Sequence, residues 1–378
     1  MRSEITMRIA LVNNHLPNTG FGNYAFEIYN ELCNKCRIDH IFLNFRERKL
    51  EKITSTSKEC IAKLRRFSLD HRYFFYCRIQ KKIPEYDLYF IANQNLSFLK
   101  LRPRVVFCHD IIHQVYPRSK KYWLLSKLLY AGLRKAEFII SASESTKRDL
   151  LRFHLIPEER ISVVYRGLNR ERFKPDSSDL TNIGQKYRLS PRHRYVLHVS
   201  SETPRKNVDG LIKAFYQLKT KHKLTNLKLL KVGNPQYQRD RKRLLDLIKR
   251  LELQEDIMFL GYVPEKDLPE LYNIAELLAF PSFYEGFGLP VLEAMACGTP
   301  VITSNVSSLP EIVGDAGIMV NPKNISDLAE AMHKVLGNTE LRKNMISKGL
   351  KRARMFSWKT SAEETLKICE RVHKKITY

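Results

Sequence analysis

Two carboxylates, Glu285 and Glu293, stand eight positions apart in Phe283-Tyr284-Glu285-Gly286-Phe287-Gly288-Leu289-Pro290-Val291-Leu292-Glu293. The apolar run Leu277-Leu278-Ala279-Phe280 before them, closed by Pro281, reads as a buried parallel strand. A glycine-bearing turn then leads into a helix expected to start near Leu289 or Pro290, since proline suits the first helical turn. Such a turn aims the backbone amides of Gly286, Phe287, Gly288 and Leu289, with the positive end of the helix, at an anionic group. Glu285 precedes the helix and Glu293 lies about one turn inside it. Both can therefore face the crevice at the carboxyl end of the strand, where open α/β sheets bind ligands.

A second polar stretch, His198-Val199-Ser200-Ser201-Glu202-Thr203-Pro204-Arg205-Lys206-Asn207, follows the apolar run that starts at Tyr195. Arg205 offers a fork for two phosphate oxygens and Lys206 a compact point charge. Cations there stabilise the negative charge that grows on a departing diphosphate. Thr19-Gly20-Phe21-Gly22-Asn23 occupies an earlier strand-to-helix connection, where glycines permit close approach to a phosphate or sugar. His109 and Asp110 end the run Val105-Val106-Phe107-Cys108, and Asp110 is expected to cap the next segment.

These residues resemble the Glu-x7-Glu signature and the Pro-Arg-Lys-Asn diphosphate motif of the retaining nucleotide-sugar glycosyltransferases of glycosyltransferase family 4. The resemblance spans essentially the whole chain and is strongest over 195–322. It implies the GT-B fold, α/β with two Rossmann-like domains facing each other across a cleft. It places Glu285 by the donor sugar and Glu293 on the ribose hydroxyls. Arg205, Lys206, Gly22, Gly286, Phe287, Gly288 and Leu289 fall on the diphosphate, and Tyr262 and Val263, after Gly261, on the nucleobase. His109 resembles a family histidine that positions the sugar or assists the leaving group electrostatically. Gly20, Asp110 and Asn95 fall near the sugar or acceptor. Ser200 and Ser201 stand where many members carry Gly followed by Arg or Thr, so one arginine contact of some members is missing here.

The implied reaction transfers a sugar of mannose or glucose type from a nucleoside diphosphate to a hydroxyl of a lipid-linked or saccharide acceptor. No Asp-x-Asp occurs and the histidines are dispersed, so neither a metal nor another cofactor is expected. The sugar, the nucleobase and the acceptor stay open. A nucleotide-sugar epimerase or hydrolase of the same fold is one competing reading. A basic nucleic-acid-binding protein is another, but no nucleic-acid motif is found and the Glu pair would go unexplained.

Positioning these residues requires alternating strands and helices. Apolar runs at Arg8–Val12, Ile41–Leu43, Leu88–Ile91, Val105–Phe107, Phe138–Ile140 and Ile161–Tyr165 predict one parallel sheet with crossover helices. A second series runs through Tyr195–Val199, Leu227–Val232, Ile257–Leu260, Leu277–Phe280, Pro300–Ile302 and Gly317–Val320. The first helix is expected from about Asn23. A polar, proline-bearing linker at Lys174-Pro175-Asp176-Ser177-Ser178 divides the domains at 1–175 and 176–356. Residues 357–378 read as a helix capped by Ser357, which in the family crosses back to the first domain.

A chain of 378 residues exceeds one typical core. No apolar run reaches ~18 residues, and Met1 to Ala10 carries charge where a signal peptide needs an apolar stretch. Seven cysteines, an odd number, argue for a reducing compartment, hence the cytoplasm. Cys33 and Cys36 form a C-x-x-C without a second pair and read as helix-face residues. The net charge is +25, and residues 1–175 hold 33 Lys+Arg against 17 Asp+Glu. Residues 45–82 alone carry 12 against four. Lys120-Lys121-Tyr122-Trp123-Leu124-Leu125-Ser126-Lys127-Leu128-Leu129-Tyr130 mixes lysines, aromatics and leucines at helical spacing. Such a helix suits an anionic membrane surface, so peripheral attachment at the inner face of the cell membrane is expected.

Overall fold

Strands that are apolar at successive positions need cover on both faces, and parallel sheets flanked by helices supply it. The computed structural model of this chain describes residues 7–16, 19–53, 58–63, 72–117, 119–176 and 181–377. It divides into two compact units, one up to Gly167 and again from Ser357, the other Leu168–Phe356.

The first unit holds an eight-stranded sheet. Its strands are β1 (Arg8–Asn13), β2 (Arg37–Asn44), β3 (Lys49–Ile53), β4 (Lys58–Lys63), β5 (Leu88–Ile91), β6 (Arg104–Cys108), β7 (Phe138–Ser141) and β8 (Ile161–Val163). The order is β4-β3-β2-β1-β5-β6-β7-β8. Successive residues enter opposite cores. Ile9 and Leu11 pack with Phe90, Phe107 and Ile140, whereas Ala10 and Val12 pack with Ile91, Val106 and Ile139. The first of these cores is completed by Trp358, Ala362, Leu366, Cys369 and Val372, one stripe of the terminal helix Trp358–Thr377.

The second unit holds β9 (Arg194–Val199), β10 (Leu227–Val232), β11 (Ile257–Gly261), β12 (Leu277–Phe280), β13 (Val301–Ser304) and β14 (Ile318–Val320). All pairings are parallel and the order is β11-β10-β9-β12-β13-β14. That is the doubly wound order, which reverses direction between β9 and β12. Val196, Leu229, Leu277, Ala279 and Ile302 pack against Leu211, Phe215, Leu244, Leu328 and Met332 of the flanking helices.

Four expectations need correction. The strands β3 and β4 form an antiparallel extension of the first sheet that the basic segment 45–82 concealed. The first helix runs Gly20–Leu32, starting earlier than Asn23, because Thr19 Oγ1 accepts from the Gly22 amide at 3.1 Å and caps it. Cys33 caps the end of that helix and Cys36 lies in the turn beyond, so neither sits on the helix face. The units divide at Gly167/Leu168 instead of at 175/176. The segment before the expected linker is bound into the second unit: Phe173 packs edge-on to Tyr272, and Asn273 Nδ2 donates to Lys174 O at 3.1 Å. Ser177 and Ser178 of that linker lie outside the described residues.

Candidate active site

The carboxyl ends of β9 and β12 are adjacent, with Leu278 in register with Leu197. Each releases one of the two motif loops. From β9 the chain passes through Ser200–Thr203 into the turn Pro204–Lys206 and, through Asn207 in the left-handed conformation, into the helix Val208–His222. From β12 it passes through Pro281–Gly288 into the helix Leu289–Ala296. Gly288, at φ 112°, caps that helix in a conformation closed to most other residues. The loops are stitched together: the Phe283 amide donates to Arg205 O at 2.7 Å, and Asn207 Nδ2 donates to Pro281 O at 3.1 Å.

This stitching delivers three charged side chains to one point. Lys206 Nζ lies 2.5 Å from Glu285 Oε1, and Arg205 Nη1 donates to Glu285 Oε2 at 3.3 Å and to Tyr284 O at 3.0 Å. Glu285 is only 8% exposed. Burial alone would raise its pKa, but the Lys206 ammonium and the Arg205 guanidinium outweigh burial and hold it below the usual value. Two serines that motif reading passed over fix the carboxylate's backbone. Ser307 Oγ accepts from the Glu285 amide at 3.0 Å, and Ser308 Oγ lies 3.0 Å from Glu285 O and 2.8 Å from Phe287 O.

Glu293 lies on the helix Leu289–Ala296 and accepts a 2.7 Å hydrogen bond from Tyr272 Oη. Tyr272 is fully buried, and its phenol is pushed well above the ordinary value by desolvation and then by the Glu293 charge. His198 bridges β9 and β12: Nδ1 donates to Ala279 O at 2.7 Å, and Nε2 faces Ser200 Oγ at 2.7 Å. Burial and then the Lys231 charge push it down to about 3, so it is neutral at physiological pH. After β11, Val263 is buried while Tyr262 is 65% exposed.

The sequence pattern described as Glycosyl transferases group 1 matches residues 180–352, and that of Glycosyltransferase Family 4 matches 19–172. O-antigen chain mannosyltransferase B of Escherichia coli is 30% identical over 368 residues, 93% of this chain and 95% of that protein. The chain belongs to glycosyltransferase family 4. As a member it is a retaining hexosyltransferase. O-antigen chain mannosyltransferase RfbU of Salmonella typhimurium is 28% identical over 62% of this chain and 64% of that protein. Among solved structures, HepE of Anabaena in complex with UDP and glucose has a TM-score of 0.74 at 21% identity, covering 96% of this chain and 99% of that one. WaaG, a glycosyltransferase involved in lipopolysaccharide biosynthesis, has a TM-score of 0.73 at 20% identity, covering 96% and 99%. Both are alike in fold, GT-B.

In the first unit of this family 4 enzyme, His109 follows β6 and is buried under Phe21, stacked at 4.4 Å between ring centroids. Its Nε2 donates to Ala92 O at 3.0 Å and its amide donates to Gln94 Oε1 at 3.1 Å. Burial, with the Arg166 charge behind it, holds the imidazole well below the ordinary value. It is therefore neutral, so any part it takes beside a donor rests on hydrogen bonding and its dipole and not on a full positive charge. Asp110 Oδ1 accepts from the Ile112 amide at 3.1 Å and opens the short helix Ile112–Val115. The Asn95 amide donates to Asn93 Oδ1 at 3.1 Å.

Gly20 is the first residue of the helix Gly20–Leu32. The Gly22 amide is engaged by Thr19, and a Cβ at Gly22 would fall 1.8 Å from Leu16 O. Close chain packing is therefore one reason for a glycine at that position. The helix Lys120–Tyr130 buries Ser126 and Tyr130, while Leu124 and Leu128 are 60% and 65% exposed. Tyr122, Trp123 and Leu125 are exposed beside them, and Lys127 Nζ sits 3.6 Å from the Trp123 ring centroid. Among the described residues no helix is long and apolar enough to cross a membrane.

Proposed function

We propose that the enzyme transfers mannose from GDP-mannose to a hydroxyl of a lipid-linked surface polysaccharide, with retention at the anomeric carbon. The observation that carries this reading is the buried Glu285–Lys206–Arg205 cluster at the switch point of a doubly wound sheet. The choice of mannose is supported by O-antigen chain mannosyltransferase B, matched over 95% of its length.

In this reading the arriving diphosphate takes Lys206 and Arg205 from Glu285, and the released carboxylate turns to the sugar hydroxyls. The amides of Gly286, Phe287, Gly288 and Leu289 and the helix end add partial positive charge. Glu293, oriented by Tyr272, takes the ribose hydroxyls, and Tyr262 and Val263 border the base. His109 contributes a neutral hydrogen-bonding edge to the sugar, and Gly20, Asp110 and Asn95 belong to the acceptor side. Side-chain cations and helix amides offset the diphosphate charge, so catalysis is expected to proceed without a divalent metal and to be unchanged by EDTA. The deciding assay offers GDP-mannose and UDP-glucose in parallel and scores transfer, epimerisation and hydrolysis. Transfer of glucose alone, or epimerisation without transfer, would overturn the reading.

The exposed apolar face of Lys120–Tyr130, rimmed by Lys120, Lys121 and Lys127, supports peripheral attachment to the anionic cytoplasmic leaflet. Each lysine near such a surface adds roughly 1 kcal/mol. The enzyme should sediment with anionic vesicles at low salt, and a Leu124→Glu, Leu128→Glu double variant should not. Failure of the parent protein to bind would remove the membrane from the proposal.

A further inference from the structure

Beside the loop that leads to Arg205 and Lys206, at the carboxyl ends of β9 and β10, three charged side chains converge. Lys231 of β10 is 1% exposed and Glu202, in the loop after β9, is 0% exposed. Lys231 Nζ donates to three main-chain carbonyls: Ser200 O at 2.6 Å, Val232 O at 2.8 Å and Gly233 O at 3.1 Å. It also lies 3.9 Å from Glu202 Oε1. Arg241, from the helix Gln238–Arg250, grips both oxygens of Glu202, with Nε 2.8 Å from Oε2 and Nη2 on Oε1. Its guanidinium lies over the Phe259 ring of β11 at 4.3 Å.

Burying such charges costs several kcal/mol per ion, and well-packed apolar side chains would hold the sheet at least as firmly. What the ions add is direction. An ammonium with three donors fixes three carbonyls at once, and a guanidinium fork fixes both the position and the plane of a carboxylate. Two of the groups so fixed, Ser200 O and the Glu202 carboxylate, lie on the loop that ends in Arg205 and Lys206. The far end of the same loop is held by the Phe283 amide on Arg205 O. Burial lowers the Lys231 pKa to about 8, which leaves it charged at neutral pH with all three donors in use.

We propose that Lys231, Glu202 and Arg241 form a positioning brace that sets where Arg205 and Lys206 meet the donor diphosphate. The proposal rests on the donor-site reading given above and extends it to residues that touch no substrate themselves.

The test titrates GDP, UDP and their nucleosides into the parent protein and into Lys231→Met, which keeps the volume and removes the donors. The expected result is a loss of about tenfold or more in affinity for the preferred diphosphate, with nucleoside affinity changed by less than about twofold. A merely structural role would lower both affinities together, and that outcome, or parental diphosphate affinity in folded Lys231→Met, overturns the brace. If Lys231→Met does not fold, Arg241→Gln decides the matter, since Arg241 is partly exposed on its helix. A severalfold selective loss supports the brace and parental affinity sinks it. Arg205→Ala is the control: should it bind both diphosphates like the parent, the donor-site reading itself fails and the brace falls with it.

Discussion

Lys206 Nζ and Glu285 Oε1 stand 2.5 Å apart, so the positive charge of the Pro-Arg-Lys-Asn turn is matched by the carboxylate of the second motif loop. On the proposed donor-site reading, an arriving diphosphate competes with that carboxylate for the two cations, which would tie donor entry to the release of Glu285.

It follows that Glu285→Ala should bind the nucleoside diphosphate at least as tightly as the parent, because the cations are no longer occupied. Transfer should fall by a factor on the order of 10² to 10³, the scale for loss of a group aimed at the reacting centre. Titration calorimetry beside an initial-rate assay checks both halves. Near-normal rates would remove Glu285 from the mechanism.

Tyr272→Phe removes the hydroxyl that orients Glu293 and leaves the ring in its buried place. A hydrogen bond to a charged group contributes roughly 1.5–3 kcal/mol. With Glu293 on the ribose as proposed, the KM for the donor should therefore rise about tenfold with kcat nearly unchanged, since ribose lies far from the bond that breaks. Equal losses in kcat and kcat/KM would place Glu293 elsewhere in the reaction.

The legible and illegible parts of this chain separate on a physical line. Leu88–Ile91 and Leu277–Phe280 could be bounded from sequence because strands covered on both faces are runs of apolar residues, and Leu227–Val232 kept enough of that pattern despite Lys228 and Lys231. In β3, Lys-Leu-Glu-Lys-Ile interleaves charge with apolar residues inside an already basic segment, and no run stands out. Arg205, Lys206 and Glu285 were legible because each sits in a compact local motif. Ser307, Tyr272 and Lys231 act on groups 22, 21 and 31 positions away, and only the crossovers of the sheet bring those partners together. The neutral state of His109 was hidden for a related reason, since burial is set by the fold and not by neighbours in the chain.

Acid should destabilise the protein through histidines that the fold keeps neutral. Burial pushes His40 and His198 down to about 3 and His154 to about 4, against an ordinary value of 6.5. Folded pKa values below the unfolded one mean that the unfolded chain takes up protons first. Their contribution is therefore complete above pH 6.5 and is lost as pH falls from there toward about 3. The loss approaches ~1.4 kcal/mol per pH unit for each fully buried group. Neither ring nitrogen of His40 has a hydrogen-bond partner, so His40→Leu should flatten this slope between pH 6 and pH 4 in denaturant titrations. An unchanged slope would contradict the assignment.

Gly167→Ala should disturb the return of the terminal helix. A Cβ there would sit 2.1 Å from Trp358 N, closer than atoms can approach. The backbone must shift, loosening Trp358, Ala362 and Leu366 from the first unit's core. A drop of several degrees in Tm is expected, with faster proteolysis near the carboxyl terminus and unchanged binding of nucleoside diphosphate to the second unit. Wild-type melting would show that the tail is held by other means.

Because the first unit is assembled from both ends of the chain, the second is an insert whose entry and exit adjoin: the Leu168 amide meets Phe356 O at 3.3 Å. On the ribosome this inverts the usual sequence, in which the segment made first folds first. The insert can close as soon as Phe356 emerges, while the sheet begun at Arg8 waits, one face only partly covered by the helix Gly20–Leu32, for the helix Trp358–Thr377 to be translated. Premature termination anywhere in the final helix should therefore yield a folded nucleotide-binding insert carried by an incomplete, aggregation-prone partner.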